Sequence, residues 1–368
     1  MKIEAIELLR VEIPLVSPFR TSYGVDTVRD ALLVRVVGSD AEGWGECVAD
    51  REPLYSAEWV DGAAEVITRF LLPRVFADNH VCDVASVSAK LADVEGHPMA
   101  KGAVEMAILD AELRTTGVSF AEHLGATKGA VACGVSIGIQ DDLDRLLTSV
   151  AGYLDAGYMR VKLKIEPGRD IESVRTVRTT FGDDLMLQVD ANAAYSRADT
   201  AILRQLDEFN LSLIEQPLAP DDLLGHALLA KQIATPICLD ESITSARGAA
   251  DAIALGACSI VNIKAGRVGG YLEAVRVHDA CASVGVPVWC GGMLETGLGR
   301  AANVALAALP NFLLPGDTSA SARYFTEDLT EPFVLDNGHL RVPTGPGLGV
   351  APLTDRLAKF TTSRTRIF

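Results

Sequence analysis

Short apolar runs recur at near-equal intervals through residues 131–325, and a polar stretch and a helix-like segment follow each run. We expect these runs to be strands, at about 133–137, 159–164, 185–190, 211–215, 236–240, 259–264, 286–290 and, as a short one, 312–315. Strands that alternate with helices form parallel sheets, and eight strands fit a closed barrel. The pattern therefore predicts a barrel domain over 131–325.

The residues before the barrel region follow a different order. Apolar, β-branched runs at 3–13 and 31–37 predict strands, and helical spacing of apolar residues dominates 57–125, where Asp83 is a candidate helix cap. Strands followed by helices, without alternation, are typical of an α+β domain. We therefore expect a separate α+β domain over 1–130.

The last segment, 326–368, departs from both patterns. It contains Asp336-Asn-Gly338, a turn sequence that favours a two-residue hairpin loop when strand-like residues flank it. A hairpin is therefore expected around these residues.

Composition narrows the class of protein. The chain has 368 residues, of which 49% are hydrophobic, so we expect a large core. Its net charge is −16, so we expect no nucleic-acid or anionic-membrane partner. The seven cysteines form no Cys-x-x-Cys pair, which predicts buried free thiols in a reducing cytoplasm. The sequence shows neither a signal-like block at its start nor an apolar run of membrane-spanning length, and we expect a cytoplasmic protein.

Four charged residues close successive apolar runs, and they are the main chemical signal. Asp190, Glu215, Asp240 and Lys264 follow one another at intervals of 25, 25 and 24 residues. The C-terminal ends of barrel strands converge on one mouth, where active sites lie. Three carboxylates at that mouth would repel one another without a cation between them, and oxygen ligands suit a hard cation, Mg²⁺ above all.

A basic pair lies in the preceding strand. Lys162-x-Lys164 places both lysines on one face of the strand, because side chains alternate with a period of two. Alone, such a pair would indicate a solvated edge strand. Its position before three strands with acidic ends favours a functional cluster, because buried charge is tolerated only when it is paired or linked to a metal.

These motifs together resemble the enolase superfamily, in its muconate-lactonizing-enzyme subgroup. The superfamily motifs are Lys162-x-Lys164, Asp190-x-Asn192, Glu215-Gln-Pro217, Asp240-Glu-Ser242 and Lys264. Further segments resemble the o-succinylbenzoate synthase/N-acylamino acid racemase family, which includes N-succinylamino acid racemases: Pro18-Phe-Arg-Thr-Ser22, Gly43-Trp-Gly-Glu-Cys47, Gly291-Gly-Met-Leu-Glu-Thr-Gly-Leu-Gly299 and Pro315-Gly-Asp-Thr-Ser-Ala-Ser321. The resemblance covers almost the whole chain.

The resemblance implies a modified (β/α)7β TIM-type barrel, an α+β capping domain, and a C-terminal segment that returns to the capping domain. It also implies that the enzyme removes a proton from the carbon next to a carboxylate and forms an enediolate that Mg²⁺ stabilises. Mn²⁺ or Co²⁺ would be able to substitute for Mg²⁺. Asp190, Glu215 and Asp240 would hold the metal. The substrate would be a small-molecule carboxylate, and a homo-oligomer is expected because oligomers are common in the family.

Two lysines are the expected catalytic residues. By resemblance Lys164 is the base, and Lys264 faces the other side of the substrate. Two opposed bases permit racemisation, whereas one base and an opposed cation permit loss of water, the synthase reaction of menaquinone biosynthesis. A free lysine titrates at about 10.4. Crowding of the lysines around the cation is therefore expected to lower their pKa values, which would provide a neutral base.

Several other residues are expected to contact the substrate or to tune the lysines. Lys162 would bind the substrate carboxylate, Arg267 would act as a second cation beside Lys264, and Glu295 would support a lysine. Ser17 to Gly24 is expected to form a loop over the barrel mouth. The expected substrate-binding residues are Lys162, Asn192, Phe19, Arg20, Tyr55, Ser136, Arg267 and Met293.

Alternative functions remain open on the sequence. One is a muconate-type cycloisomerase, and another is a catalytically idle metal-binding homologue. Dipeptide epimerases typically carry Asp-x-Asp near the eighth strand, where this chain has Asp317-Thr-Ser319. This difference favours a neutral N-acyl or succinyl group over a free ammonium group in the substrate.

Overall fold

The computed structural model describes residues 2–77 and 83–367. Its strands are β1 (Ile3–Arg20), β2 (Val25–Gly38), β3 (Glu42–Cys47), β4 (Ala130–Ala132), β5 (Gly134–Ile137), β6 (Arg160–Lys164), β7 (Leu187–Asp190), β8 (Ile214–Glu215), β9 (Ile237–Leu239), β10 (Ile260–Ile263), β11 (Val288–Cys290), β12 (His339–Arg341) and β13 (Thr361–Arg366).

Its α-helices are α1 (Val60–Val66), α2 (Leu72–Val75), α3 (Val84–Lys90), α4 (Pro98–Thr116), α5 (Phe120–Leu124), α6 (Leu143–Asp155), α7 (Ile171–Phe181), α8 (Thr200–Gln205), α9 (Leu223–Leu229), α10 (Ala246–Ala254), α11 (Ala265–Val268), α12 (Tyr271–Ser283), α13 (Gly297–Ala307) and, after the barrel region, α14 (Thr354–Phe360). A π-helical turn, Ile67–Leu71, joins α1 to α2, and short 3-10 turns occur at Arg197–Asp199, Leu206–Phe209 and Ser321–Arg323.

Seven parallel strands form the main sheet, in the order β11-β10-β9-β8-β7-β6-β5. Single parallel bridges join Val288 to Phe312 and Cys133 to Gly316, so the segment 312–316 connects both edges of the sheet. The fold class is confirmed: the chain forms a modified TIM-type barrel with an antiparallel sheet and helices beside it. The eighth predicted strand is wrong as a regular strand, because Pro315 lacks a backbone N–H and restricts its neighbour.

The second sheet is antiparallel, with the order β13-β1-β2-β3. The strand β1 extends to Arg20 and pairs with β2 through Phe19–Asp26 and Arg20–Val25. The prediction of a loop from Ser17 to Gly24 is therefore wrong in its first half, and the turn is confined to Thr21–Gly24, where the Thr21 N–H donates to the Gly24 carbonyl at 2.9 Å. Prolines are tolerated here because the register shifts between Pro14 and Phe19.

The predicted hairpin near the C-terminus is correct in its turn and wrong in its pairing. Asp336 and His339 exchange backbone hydrogen bonds of 2.8 and 3.0 Å, and Asn337 and Gly338 have the positive φ values that such turns require. The strand β12 after the turn pairs with β4 rather than with the segment before the turn, and β13 pairs antiparallel with β1.

Local signals account for several smaller features. The Asp83 side chain accepts a hydrogen bond from the Ser86 N–H at 2.9 Å, as expected of a helix cap. The six cysteines within the described ranges are buried free thiols, as predicted, and Cys82 lies outside those ranges. Among the helices of residues 2–77 and 83–367, none is long and apolar enough to cross a membrane.

Helix α4 fixes the position of the segment that directly follows Lys264. Its buried Glu105 accepts a hydrogen bond from the Leu272 N–H at 3.1 Å, at the start of α12. A Cβ at Gly270 would lie 2.2 Å from the Glu105 carboxylate, so only glycine allows this approach. Because α11 and α12 directly follow Lys264, the Glu105 contact positions the residues around that lysine.

Burial raises the pKa of Glu105 from 4.5 to about 7, although backbone hydrogen bonds from Leu272 and Tyr271 oppose the shift. Between about pH 4.5 and 7 the folded protein therefore binds a proton that the unfolded chain has released, and the stability that this group contributes falls as the pH rises. We expect Glu105→Gln to flatten the pH dependence of the unfolding free energy in that window, measured by urea denaturation.

The exposed Glu122 provides a matched control, because Glu122→Gln should leave that pH dependence as it is in the wild type. An unchanged slope in Glu105→Gln would contradict the assignment of the raised pKa to this carboxyl group.

Candidate active site

The strand register brings the acidic and basic residues together at one end of the parallel sheet. Lys164 lies opposite Asp190 in the β6–β7 pair, and Asp190 lies opposite Glu215 in the β7–β8 pair. Asp240 follows β9 and Lys264 follows β10 directly. Because the strands are parallel, all five residues lie at the same edge of the barrel.

Each carboxylate at this edge faces a lysine. The Lys162 ammonium group lies 2.9 Å from Glu215 and 3.3 Å from Asp190. The Lys164 ammonium group lies 2.6 Å from Asp190, and the Lys264 ammonium group lies 2.8 Å from Asp240. The three carboxylates are at most 1% exposed, so this cluster is buried. The lysines balance the charges of the carboxylates within it.

The protein groups alone raise the pKa values of Lys162 and Lys264, and the lowering expected from a cation beside the lysines stays a prediction. Burial lowers the pKa of Lys162, but Asp317, Glu215 and Asp190 more than offset burial and raise it overall. Burial also lowers the pKa of Lys264, and nearby acidic groups, Tyr55 first, raise it well above its usual value. The physical reason is that the nearest partners of the lysines are carboxylates, not other cations.

The carboxylates fit a hard divalent cation in their chemistry. Burial and the neighbouring Asp190 charge raise the pKa values of Glu215 and Glu241, and one Glu241 oxygen is buried without a hydrogen-bond partner. Buried carboxylate oxygens are the ligands that Mg²⁺ prefers. Across the described ranges, no three His, Cys, Asp or Glu side chains converge into a ready-made cluster, because the carboxylates face lysines.

Asn192 links Lys164 to the acidic cluster. Its side-chain carbonyl accepts a hydrogen bond from Lys164 at 2.6 Å, and its amide donates to Glu241 at 2.9 Å. The backbone of Asn192 has a φ of 42°, in the left-handed region that asparagine tolerates better than most residues. This conformation turns the chain directly after β7, so that Asn192 reaches Lys164.

A cavity of about 500 Å³ opens above the lysines. Seven of the residues predicted to bind substrate or to act in catalysis line it: Phe19, Ser136, Lys162, Lys164, Asn192, Lys264 and Met293. The strands β5 and β6, the segments after β7, β10 and β11, and the end of β1 contribute these residues. Both sheets therefore supply walls of one cavity.

Three predicted substrate-binding residues lie outside the lining of this cavity. Arg20 forms ion pairs of 2.9 Å with Asp141 and 3.0 Å with Glu166. The Tyr55 hydroxyl lies 3.2 Å from the Lys264 ammonium group, and Arg267 pairs with Asp240 and donates to Tyr55 at 3.3 Å. Tyr55 thus contacts Lys264 itself, and Arg267 contacts Tyr55 and Asp240, which both lie against Lys264. These contacts agree with a tuning role for Arg267 better than with substrate contact.

Glu295 also lies elsewhere than expected. Its carboxylate accepts a hydrogen bond from the Asn303 side chain at 2.9 Å, so it contacts α13. The contact expected between Glu295 and a lysine is replaced by this one.

Sequence reasoning missed several residues of the cavity lining. They are Tyr23, Asp26, Asp50, Gly292, Leu294, Asp317 and Tyr324. Asp317 could have been found, since it lies two residues after the predicted eighth strand, 312–315, where side chains at the barrel mouth are expected. No periodic signal identifies Asp26 or Asp50, because they come from the start of β2 and the chain after β3, in the other sheet.

Comparison with known proteins bears on this site. The family model described as enolase C-terminal domain-like matches residues 145–356. An N-succinylamino acid racemase from Amycolatopsis is 62% identical over 100% of both chains. An o-succinylbenzoate synthase from Geobacillus kaustophilus is 47% identical over 95% of this chain and 93% of its own length. The crystal structure of an enolase superfamily member from Listeria innocua superposes with a TM-score of 0.95 and 41% identity, covering 100% of this chain and 99% of its own.

Proposed function

The chain belongs to the enolase superfamily, and from that premise we propose that it is a divalent-metal-dependent enzyme that removes and returns the proton on the carbon next to a substrate carboxylate. The reaction that we propose first is racemisation of N-succinylamino acids. The relative at 62% identity, named an N-succinylamino acid racemase, supports this choice.

The observation that carries the proposal is the opposition of two lysines across the barrel. Lys164 ends β6 and Lys264 follows β10. Three strands separate β6 from β10 on one side, and β5, the segment 312–316 and β11 separate them on the other. The two lysines are therefore diametrically opposed around the cavity that both line.

Opposed bases suit racemisation. Lys164 would remove the proton from one face of the substrate carbon, and Lys264 would deliver a proton to the other face, with the roles exchanged for the other enantiomer. Lys162, which is buried and precedes Lys164 by two residues on β6, would bind the substrate carboxylate. Asn192 would hold the Lys164 ammonium group toward the cavity through its 2.6 Å hydrogen bond.

We propose that Asp190, Glu215 and Asp240 hold Mg²⁺, for which Mn²⁺ or Co²⁺ can substitute. The bound cation would offset the negative charge that develops on the substrate carboxylate. Tyr55 and Arg267 would keep Asp240 and Lys264 in place.

Dehydration to o-succinylbenzoate is the second candidate, because a relative at 47% identity is named an o-succinylbenzoate synthase. The same residues would serve it with different roles. Lys164 would remove the proton, and Lys264 would remain a cation that stabilises the developing negative charge.

Assays on the purified protein test the proposed function. We expect loss of optical rotation with either enantiomer of N-succinylphenylalanine, and formation of o-succinylbenzoate from its hydroxylated precursor. Turnover of neither compound in the presence of Mg²⁺ would contradict the proposal, and turnover of the precursor alone would favour the synthase.

Lys264→Arg should separate the two reactions. Arginine keeps the positive charge but is a far poorer base, so racemisation should fall by roughly 10²- to 10⁴-fold, and dehydration should fall clearly less. Steady-state kinetics with both substrates measures the two losses.

Lys164→Arg is the matched control, because both reactions need Lys164 as the base and both should fail in that variant. Equal proportional losses in Lys264→Arg would contradict the division of roles, once a crystal structure of the variant shows the larger side chain in the same place.

A further inference from the structure

Two carboxylates that the proposed mechanism does not use line the same cavity as the lysines. Asp26 lies at the start of β2, opposite Phe19 in the β1–β2 pair, and Asp50 follows β3. Both line the cavity together with Lys164 and Lys264. We call Asp26 and Asp50 the acidic wall.

The negative charge of the acidic wall is incompletely balanced by the protein. Arg29 lies 3.4 Å from Asp50, but the same guanidinium also lies 3.9 Å from the buried Glu46. Within residues 2–77 and 83–367, Asp26 has no cation at ion-pair distance. Arg29 is therefore shared between Asp50 and Glu46, and it acts on Asp26 only at longer range.

Asp317, the other aspartate of the cavity lining, provides a contrast. Arg160 lies 2.9 Å and Lys162 lies 2.7 Å from its carboxylate, so its charge is already neutralised by the protein. The acidic wall is thus the part of the cavity that retains negative charge for a ligand.

The titration behaviour of the acidic wall agrees with this picture. Burial raises the pKa of Asp50 to about 6, and the neighbouring charge of Asp26 adds to the shift although Arg29 and Lys264 oppose it. Burial also raises the pKa of Asp26. A cationic ligand group at the wall would stabilise both ionised carboxylates.

Space for such a group lies next to the wall. A second cavity of about 630 Å³ shares Tyr23, Asp26 and Asp50 with the first, and it extends to Thr27 and Leu54. Arg51 also lines this second cavity, but Asp30 at 3.1 Å and Glu12 at 3.2 Å already pair with it. A long side chain could therefore pass from the first cavity into the second along a negatively charged surface.

The chemistry of the substrate decides which of its parts faces the wall. An N-succinylamino acid carries two carboxylates, which the acidic wall repels and the lysines of the same cavity attract. The amide and the succinyl methylene groups are uncharged, so the amino acid side chain is the only part of the substrate that can carry a positive charge. That side chain is therefore the part that fits best against Asp26 and Asp50.

We propose that this enzyme prefers N-acylated amino acids with a long cationic side chain, of the arginine or lysine type, and that Asp26 and Asp50 select that side chain. This inference rests on the proposed racemase function and adds its substrate class.

The test compares two substrates that differ in charge alone. N-succinylcitrulline has nearly the shape of N-succinylarginine but a neutral urea group in place of the guanidinium. We expect kcat/KM for racemisation by the wild type to favour the arginine derivative by about tenfold or more, as is typical of one charge-assisted contact. The double variant Asp26→Asn/Asp50→Asn should bring the ratio close to one.

Asp40→Asn is the matched control. Asp40 is exposed and lies between β2 and β3, at the opposite end of β2 from Asp26, so its substitution should leave the ratio unchanged. If the double variant does not fold, the single variants and the wild-type ratio still decide the question.

The outcomes separate the inference from the function on which it rests. Racemisation of both compounds with a wild-type ratio near or below one would overturn the substrate class and leave the racemase function intact. A high ratio that survives in the double variant would overturn the role of Asp26 and Asp50. Turnover of neither compound would overturn the substrate class, and it would overturn the racemase function as well only if N-succinylphenylalanine is not turned over either.

Discussion

Lys164→Ala and Lys264→Ala are each expected to abolish measurable racemisation. The reaction needs a base on each face of the substrate, so removal of either lysine stops it in both directions, and loss of one general base typically costs roughly 10²- to 10⁴-fold. Each variant should still bind Mg²⁺, because the proposed metal ligands remain. Polarimetry with N-succinylamino acids measures the loss, and titration calorimetry measures metal binding.

Lys231→Ala is the control for the removal of a lysine. Lys231 is exposed and precedes β9, at the opposite end of the barrel from the cavity, so this variant should racemise at the wild-type rate. Racemisation at more than a tenth of the wild-type rate by either Lys164→Ala or Lys264→Ala would contradict the two-base account.

Asp190→Asn, Glu215→Gln and Asp240→Asn are each expected to eliminate activity and to weaken Mg²⁺ binding strongly. Each substitution removes one negatively charged oxygen ligand while it keeps the size of the side chain. EDTA treatment of the wild type should stop turnover, and Mg²⁺ or Mn²⁺ should restore it. Calorimetry gives a measurement of binding that is independent of turnover.

Asp183→Asn is the matched control for these carboxylates, because Asp183 precedes β7 at the opposite end of the barrel from Asp190. A variant of Asp190, Glu215 or Asp240 that binds Mg²⁺ with wild-type affinity would exclude that residue as a ligand. Loss of a carboxylate also leaves a buried lysine unpaired, which is destabilising, so thermal unfolding should be recorded beside each assay.

The sequence predicted the part of the site that follows from regular geometry. Parallel barrel strands repeat at nearly constant spacing, so the residues that end them could be matched from the interval between Asp190, Glu215 and Asp240. The two-residue period of a strand likewise placed Lys162 and Lys164 on one face. These rules are local, and they hold in the structure as far as strand register and sheet order are concerned.

Other features depend on contacts between distant segments, and no local rule gives them. Asp26 and Asp50 come from the second sheet, and only the packing of that sheet against the barrel brings them to the lysines. The apolar residues of 312–315 predict a strand, but Pro315 prevents regular backbone pairing with the neighbouring strands. The pKa values of Lys162 and Lys264 depend on which charged groups lie nearest to each ammonium group. The intervals between residues in the sequence do not show which groups these are.

Exchange of the substrate α-proton in D₂O tests the opposition of the two lysines most directly. The wild type should exchange the α-proton of both enantiomers of an N-succinylamino acid, as followed by NMR. Lys164→Ala should exchange only one enantiomer, and Lys264→Ala should exchange only the other. Exchange of both enantiomers by either variant, or of the same enantiomer by both, would contradict the proposal that Lys164 and Lys264 act on opposite faces of the substrate.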